Sequence, residues 1–477
     1  MASLNTLGRH LAVVGFMGAG KSTVGAAAAE LLDRPFVDVD AEIERATGQS
    51  VSEVFSDRGE PVFRAHEEAH ALAALERAEP AVVALGGGAL GSDRTRDTLR
   101  ERALTVLVEV EPEEAWNRAS GRERPLARDE ETFRRLFEER APAYRRAADA
   151  VARDADDVVL AAAGVRVQLG ALETIGALVP RAVDLELAAD AHVLGIHGPT
   201  AQPALGERLR RTHELPSGEA AKTLKTCERL WRALRLDRSG ALVALGGGST
   251  LDTTGFVASA YLRGIDWIAV PTTLVAQVDA AIGGKTAIDL PEGKNLVGAF
   301  HWPVLTIADP GVLQTLPDRE RRNGLAEAVK TGLLAGAPLW ELSEPELVRR
   351  CAAYKAALCL RDPFDRGPRT ALNLGHTFAH ALEAASDYEL PHGDAVALGL
   401  LAALRLSSVD TSVVEEVLHP TPVRADPERA WAALVRDKKA KRGSPRLVLL
   451  DAPGAPRIGV ELPEADVRGA LAALIAE

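Results

Sequence analysis

Gly15-Phe-Met-Gly-Ala-Gly-Lys21-Ser22 fits the pattern GxxxxGK[ST] without a mismatch. The apolar run Leu11–Gly15 precedes the motif and an Ala-rich stretch follows it, so it sits between a buried strand and a helix. That context predicts a loop whose backbone N–H groups, with the first turn of the helix, cradle phosphates. Lys21 reaches the outer phosphate oxygens and the Ser22 hydroxyl ligates Mg²⁺. A glycine-rich turn before a helix is the bland alternative, and it leaves the full motif unexplained. The motif points to a nucleotide without naming the acceptor.

Working outward, Lys21 is the only lysine before position 222. Ten of the 56 basic residues are lysine and 46 are arginine. Lysine offers a compact charge with a shiftable pKa, so the few present mark places where a guanidinium fork serves poorly. With a formal net charge of −12, the chain is not a general polyanion binder, and anions must be held by local clusters. Cys227, Cys351 and Cys359 show no CxxC spacing, which points to a reducing compartment without disulfides. No apolar stretch approaches the length of about 20 residues that spans a bilayer. A cytoplasmic enzyme without nucleic-acid or membrane partners is expected.

Apolar β-rich runs alternate with Ala/Leu/Arg-rich helical stretches, which indicates α/β architecture. Leu11–Gly15, Val82–Leu85 and Leu104–Val110 read as buried parallel strands, and from about Leu325 onward the pattern is helical. Asp149–Ala163 reads as a closing helix and Val165–Gly170 as a new strand, so a seam is expected near residue 164. The expected domains are 1–164, a P-loop-type parallel-sheet unit, and 165–477. The second divides into an α/β nucleotide-binding part, 165–320, and an all-helical metal and substrate part, 321–477. Val83-Ala-Leu-Gly-Gly-Gly88 recurs as Val243-Ala-Leu-Gly-Gly-Gly248, but the flanks differ. The two copies read as convergent ligand loops rather than a duplication.

Downstream of the first motif come Asp38-Val-Asp40, Gly59-Glu60-Pro-Val-Phe-Arg64, Gly86-Gly-Gly88, Arg124-Pro-Leu126 and Arg140-Ala-Pro-Ala-Tyr144. A small polyhydroxy acid needs a carboxylate at its hydroxyl and arginines on its own carboxylate. As an ordered set these residues resemble shikimate kinase across 9–163. The resemblance implies that Gly18, Ala19, Gly20, Lys21, Ser22 and Thr23 hold ATP, with Ser22 on Mg²⁺ and Asp38 supporting the metal. It implies that Asp40, Arg64, Gly86, Gly87, Gly88 and Arg140 hold shikimate, with Asp40 at the reacting hydroxyl and Arg124 on a lid. A gluconate-type kinase is the rival, and the Gly-Glu–Phe-Arg segment with the Arg-Pro-Leu lid argues against it.

The second half gathers the other lysines around Gly246-Gly-Gly248-Ser-Thr-Leu-Asp252, Pro271-Thr-Thr-Leu274, Asp279, Gly284-Lys285 and Glu292-Gly-Lys294-Asn295. Loops so rich in Gly, Thr and Lys suit phosphate and carboxylate groups. Further on, Glu327 and Lys330 share a helix face, as do His376 and His380. With His392 and Glu383 nearby, this favours a divalent metal, and spacing alone selects His376 and His380 as ligands.

Together these segments resemble 3-dehydroquinate synthase across 165–477. The resemblance assigns Zn²⁺ (or Co²⁺) to Glu327, His376 and His392 and leaves His380 for proton transfer. It implies NAD⁺ on Glu219, Lys222, Gly248, Ser249, Asp252, Thr272, Thr273, Lys285 and Lys294. Substrate would meet Asp279, Lys285, Asn295, Lys330, Lys355, Arg369, Asn373, His380 and Lys438 or Lys439. Of these, Lys330, His380, Asp279 and Arg369 would act in catalysis. Arg263 would reach a neighbouring subunit of a homodimer. Departures from the family pattern are Asp365 for a glutamate, Ser217 for an aspartate and Asp289 for an asparagine. The expected function is a fusion enzyme of aromatic biosynthesis. It would phosphorylate shikimate with ATP and convert 3-deoxy-D-arabino-heptulosonate 7-phosphate to 3-dehydroquinate and phosphate. The rivals are another sugar-phosphate cyclase in the second half, or one half serving as a degenerate regulatory module.

Overall fold

In the computed structural model, residues 8–120, 129–179, 184–436 and 445–476 are described. The P-loop strand is β1, His10–Val14, and it is buried throughout. Around it lie β2 (Phe36–Asp38), β3 (Val82–Ala84), β4 (Ala103–Val108) and β5 (Ala150–Ala152), in the parallel order β2-β3-β1-β4-β5. Strands buried on both faces are near-continuous in Val, Leu and Ala, as β1 and β4 are. The chain divides into two units, Met1–Gly164 and Val165–Glu477.

Asp149–Ala163 is not one helix. Its first residues form edge strand β5, and the helix runs only over Ala155–Ala162. Asp154 ends the strand and caps that helix by accepting from the Asp157 N–H at 3.1 Å. A three-residue strand carries too little alternation to show in the sequence.

The second unit begins with β6 (Val165–Val167), then β7 (Leu185–Asp190), β8 (Leu209–Leu215), β9 (Ala241–Gly246) and β10 (Asp266–Pro271). A two-stranded antiparallel ribbon follows, β11 (Lys285–Leu290) and β12 (Gly293–Phe300), and β13 (Leu305–Ala308) returns to the main sheet. That sheet is parallel, in the order β6-β13-β10-β9-β7-β8. The part beyond 320 is helical but not all-helical. An antiparallel hairpin, β14 (Leu447–Ala452) and β15 (Ala455–Val460), buries Leu447, Val448, Leu449 and Leu450 in the core of the helical part. Among the described residues no helix is long and apolar enough to cross a membrane.

In both units the glycine loops leave the carboxyl ends of parallel strands, where open α/β sheets carry their ligands. Gly86–Gly88 follows β3, and Gly246–Gly248 follows β9. The repeated hexapeptide thus occupies different sheets, and its continuations differ too. The first copy leads into the 3₁₀ turn Ala89–Gly91, the second into the helix Gly248–Ala260.

Candidate active sites

In the first unit, the helix Lys21–Leu32 starts at Gly20 (φ 87°) with no side-chain cap, leaving its first N–H groups directed at the loop. Gly18 also lies at positive φ (82°), and a Cβ there would meet the Ala115 carbonyl oxygen at 2.3 Å, so only glycine fits. The Lys21 ammonium donates to the Phe16 carbonyl at 3.1 Å. Asp38 caps the next helix by accepting from the N–H groups of Asp40 and Ala41. One cavity of about 430 Å³ is lined by Ser22, Asp38, Asp40, Arg64, Gly87, Gly88 and Arg140, among others. The structure therefore brings the expected acceptor residues to one place. Arg124 lies outside the described residues.

Sequence reasoning missed Glu67. This carboxylate is only 2% exposed. Its Oε2 accepts from Arg64 Nη1 at 2.6 Å and its Oε1 accepts from the Gly88 N–H at 3.3 Å. Burial disfavours the Arg64 guanidinium, but Glu67 and then Glu60 outweigh it and hold the charge more firmly than in free arginine. A Cβ on Gly86 would collide with Glu67 and Asp40, and one on Gly88 with Arg64. Gly86 and Gly88 are thus what let the two carboxylates and the arginine close around the strand end. Tyr144, whose phenol burial pushes up to about 12, and Arg140 both donate to the Gly87 carbonyl. The one available signal for Glu67 was its position three residues after Arg64, on the same helix face.

In the second unit, Glu327 sits mid-way along the buried helix Asp318–Ala335, and His392 opens the helix His392–Ser407. His376 opens the helix His376–Ala385. Nε2 of His392 lies 3.1 Å, and Nε2 of His376 3.4 Å, from Glu327 Oε1. The far nitrogens are engaged. His392 Nδ1 bonds Glu383 Oε1 at 3.0 Å, and His376 Nδ1 bonds the Leu374 carbonyl at 3.2 Å. Burial lowers the His392 pKa, but Glu327 and Glu383 outweigh it and push it up to about 10. Two imidazole nitrogens and a carboxylate oxygen within 4.8 Å of one another form a donor set that suits a divalent metal. His380 is not in the set; its ring lies edge-on to His376 at 5.5 Å. The cluster is therefore not the i,i+4 pair that spacing selects: its three members come from three different helices.

Next to this centre the lysines are buried. Lys330 pairs with Glu327 Oε2, and Lys355 pairs with Asp279 Oδ1 at 2.7 Å while donating to the Asp279 carbonyl. Burial lowers the Lys355 pKa despite Asp279, whereas Glu327 and Asp279 outweigh burial and raise that of Lys330. Asp279 stands in the π-helical turn Ala276–Ala280, a geometry concentrated at functional sites. Arg369 is 2% exposed, donates to the Pro363 carbonyl and lies under Gly283, where a Cβ would strike both Arg369 and Cys359. Asn373 Nδ2 donates to the Thr370 carbonyl.

On the sheet side, Lys222 is buried between Asp252 (2.7 Å), Asn295 and Asp289 (4.0 Å). Ser249 donates to Glu219 at 2.9 Å. Buried Thr272 and half-buried Thr273 follow β10, with Thr273 against Gly247. Burial pushes the Asp252 carboxyl up to about 6, with Lys222 opposing. Asp289, in place of an asparagine, accepts from the Asn295 N–H at 2.7 Å. Asp365, one methylene short of glutamate, still reaches Lys285 at 2.7 Å, from a left-handed backbone at φ 54°. Arg263 is exposed at the far end of the helix Gly248–Ala260 from the Gly248 loop. Lys438 and Lys439 lie outside the described residues.

The shikimate kinase family model matches residues 17–166. The 3-dehydroquinate synthase N-terminal and C-terminal family models match 212–323 and 324–440. A bifunctional shikimate kinase/3-dehydroquinate synthase from Thermotoga maritima is 34% identical over 464 residues, 91% of this chain and 94% of the relative. The chain belongs to the bifunctional shikimate kinase/3-dehydroquinate synthase family. It is an enzyme of aromatic biosynthesis that joins the two activities. The synthase unit is 41% identical over 340 residues to the 3-dehydroquinate synthase of Bordetella pertussis, covering 63% of this chain and 93% of that one. A 2-epi-5-epi-valiolone synthase from Streptomyces hygroscopicus, solved with NAD⁺ and Zn²⁺ bound, is 26% identical with a TM-score of 0.57. The match covers 65% of this chain and 96% of that structure. Identity is thus higher to the dehydroquinate synthase than to this other cyclase.

Proposed function

We propose that the kinase unit, 1–164, works through the cavity shared by Ser22, Asp40, Arg64 and Arg140. Lys21 and the loop N–H groups hold the ATP phosphates, and Ser22, backed by Asp38, holds Mg²⁺. Arg64 and Arg140 fix the shikimate carboxylate, and Asp40 takes the proton of the reacting hydroxyl. Positioning and charge neutralisation supply most of such a phosphoryl transfer.

In the synthase unit, 165–477, Glu327, His376 and His392 hold Zn²⁺ or Co²⁺, which when bound supplies a Lewis acid at a substrate oxygen. Glu219, Lys222, Ser249, Asp252, Thr272, Thr273 and Lys294 would hold NAD⁺, which when bound would supply a reversible hydride acceptor. Lys355 and Arg369 orient the substrate carboxylate, Lys285, Asn295 and Asn373 the remaining oxygens. Asp279, Lys330 and His380 hold and move protons. Arg263 points this reading towards a homodimer, since it stands about 20 Å from its own Gly248 loop by helix length. The protein works in the cytoplasm.

The observation that carries this reading is the convergence of three possible ligand atoms in the synthase unit, from Glu327, His376 and His392, each within 4.8 Å of the others. Glu383 provides the test. Burial opposes its charge, but His392 outweighs burial and keeps the carboxyl below its usual range. Glu383→Gln preserves the shape and removes that charge. Zinc affinity of the full chain, measured by competition with a chromophoric chelator, is expected to fall about 10- to 100-fold, the usual cost of losing an outer partner. Unchanged affinity would remove the metal assignment.

A further inference from the structure

Tyr388 has no role in the site described above, yet its surroundings are unusual. It is an aromatic residue 47% exposed and held in the left-handed region at φ 62°, beside Asp387 at φ 51°. Bulky residues adopt such φ values rarely, and strain of this kind persists where the surrounding structure holds it. Here the turn is tied at several points. The Tyr388 N–H donates to the Glu383 carbonyl at 2.8 Å, the Glu389 N–H to Ser386 at 3.0 Å, and Arg429 grips Asp387 at 2.6 Å. The result presents the Tyr388 ring to the Lys294 ammonium, 4.8 Å from the ring centroid.

Lys294 belongs to β12 of the ribbon, whereas Tyr388 lies between Glu383, which orients a metal ligand, and His392, which is one. On the dinucleotide side, burial pushes the Glu219 carboxyl up, but Lys222 pulls it below the usual range and Lys294 adds to the pull. An exposed lysine on a free stem would sample many rotamers, and ordering it costs entropy. The ring restricts it before any ligand arrives.

We infer that Tyr388 is a positioning residue that docks Lys294 at the cofactor site, linking the metal-side loop to the dinucleotide side of the cleft. The inference rests on the proposed contact of Lys294 with NAD⁺. The test is NADH binding to the purified full chain, followed by nucleotide fluorescence, with zinc content measured on every variant. Tyr388→Ala is expected to weaken NADH binding about two- to tenfold, the range of a partly exposed cation–π contact. Tyr388→Phe, which keeps the ring, should bind within about twofold of the natural protein, since phenylalanine also presents a π face. Lys294→Met should weaken binding by itself, and adding Tyr388→Ala to it should change nothing more. If Lys294→Met binds NADH normally, the assignment of Lys294 fails and the inference with it. If Lys294→Met is weak but Tyr388→Ala is normal, the inference alone fails. Loss of zinc in Tyr388→Ala would also overturn it, by showing that the ring merely supports the loop.

Discussion

Replacing Glu327 with glutamine is expected to lower phosphate release from the heptulosonate phosphate by at least about a hundredfold, beyond the loss typical of an outer-shell partner. Shikimate phosphorylation should stay within about twofold, because the kinase site is built from residues of the other unit and shares none of the partners of Glu327. The physical reason is that Glu327 is the meeting point of the site. Its carboxylate faces two imidazole nitrogens and pairs with the buried Lys330, and it is itself 1% exposed. Burial opposes its charge, but Lys330 and then His376 outweigh burial and hold the carboxyl well below its usual range. Glutamine keeps the volume and loses the charge. Lys330 is then buried beside a neutral amide, an arrangement that costs about 3–5 kcal/mol when one partner of such a pair is removed. Zinc content and thermal unfolding, measured beside both activities, separate metal loss from unfolding. A variant that folds, lacks zinc and still releases phosphate would contradict the account.

Asp40→Asn should produce the mirror result. The kinase kcat is expected to fall by about 10²–10⁴, the usual contribution of a positioned general base. Phosphate release by the synthase unit should be unchanged. Asp40 shares its cavity with Ser22, Arg64 and Arg140, and its Oδ1 sits against Gly86. Three other carboxylates, Asp38, Glu44 and Glu67, line the same cavity, so the test is discriminating. Glu67 is committed to Arg64 and the Gly88 N–H. If Asp40→Asn retained full kcat, another of these acids would have to be the base. A coupled ADP assay at saturating shikimate and ATP reads the effect directly.

Much of this was legible in the sequence because it depended on local pattern. The P-loop carries its strand, its glycines and its lysine within a few residues, and the structure places them as the motif requires. The metal centre was harder. Helical spacing pairs His376 with His380; the cluster of Glu327, His376 and His392 was read from the family resemblance, because no local period can show a set drawn from three helices. Glu67 escaped notice, and the bond from Glu383 to His392 could not be read, for a related reason: each is a buried carboxylate whose work is to hold another side chain, and only packing reveals the partner. Short elements were lost too. Strand β5 is three residues long, and the β14–β15 hairpin lies in a helical region, so neither rises above its surroundings. The scarcity of lysine was a better guide than periodicity. Lys222, Lys330 and Lys355 are each buried and each paired with a carboxylate, which a compact ammonium achieves more readily than a guanidinium.

One chain carries two separate chemistries, with metal needed at the second site for cyclisation and Mg²⁺–ATP needed only at the first, and this division is open to direct test. It is tested by stripping the purified protein with a chelator, removing the chelator, and assaying both reactions on the same preparation. With Mg²⁺ and ATP supplied, shikimate phosphorylation should be intact. Phosphate release from the heptulosonate phosphate should be absent until Zn²⁺ or Co²⁺ is returned. Undiminished phosphate release from protein shown to be free of zinc and cobalt would contradict the account.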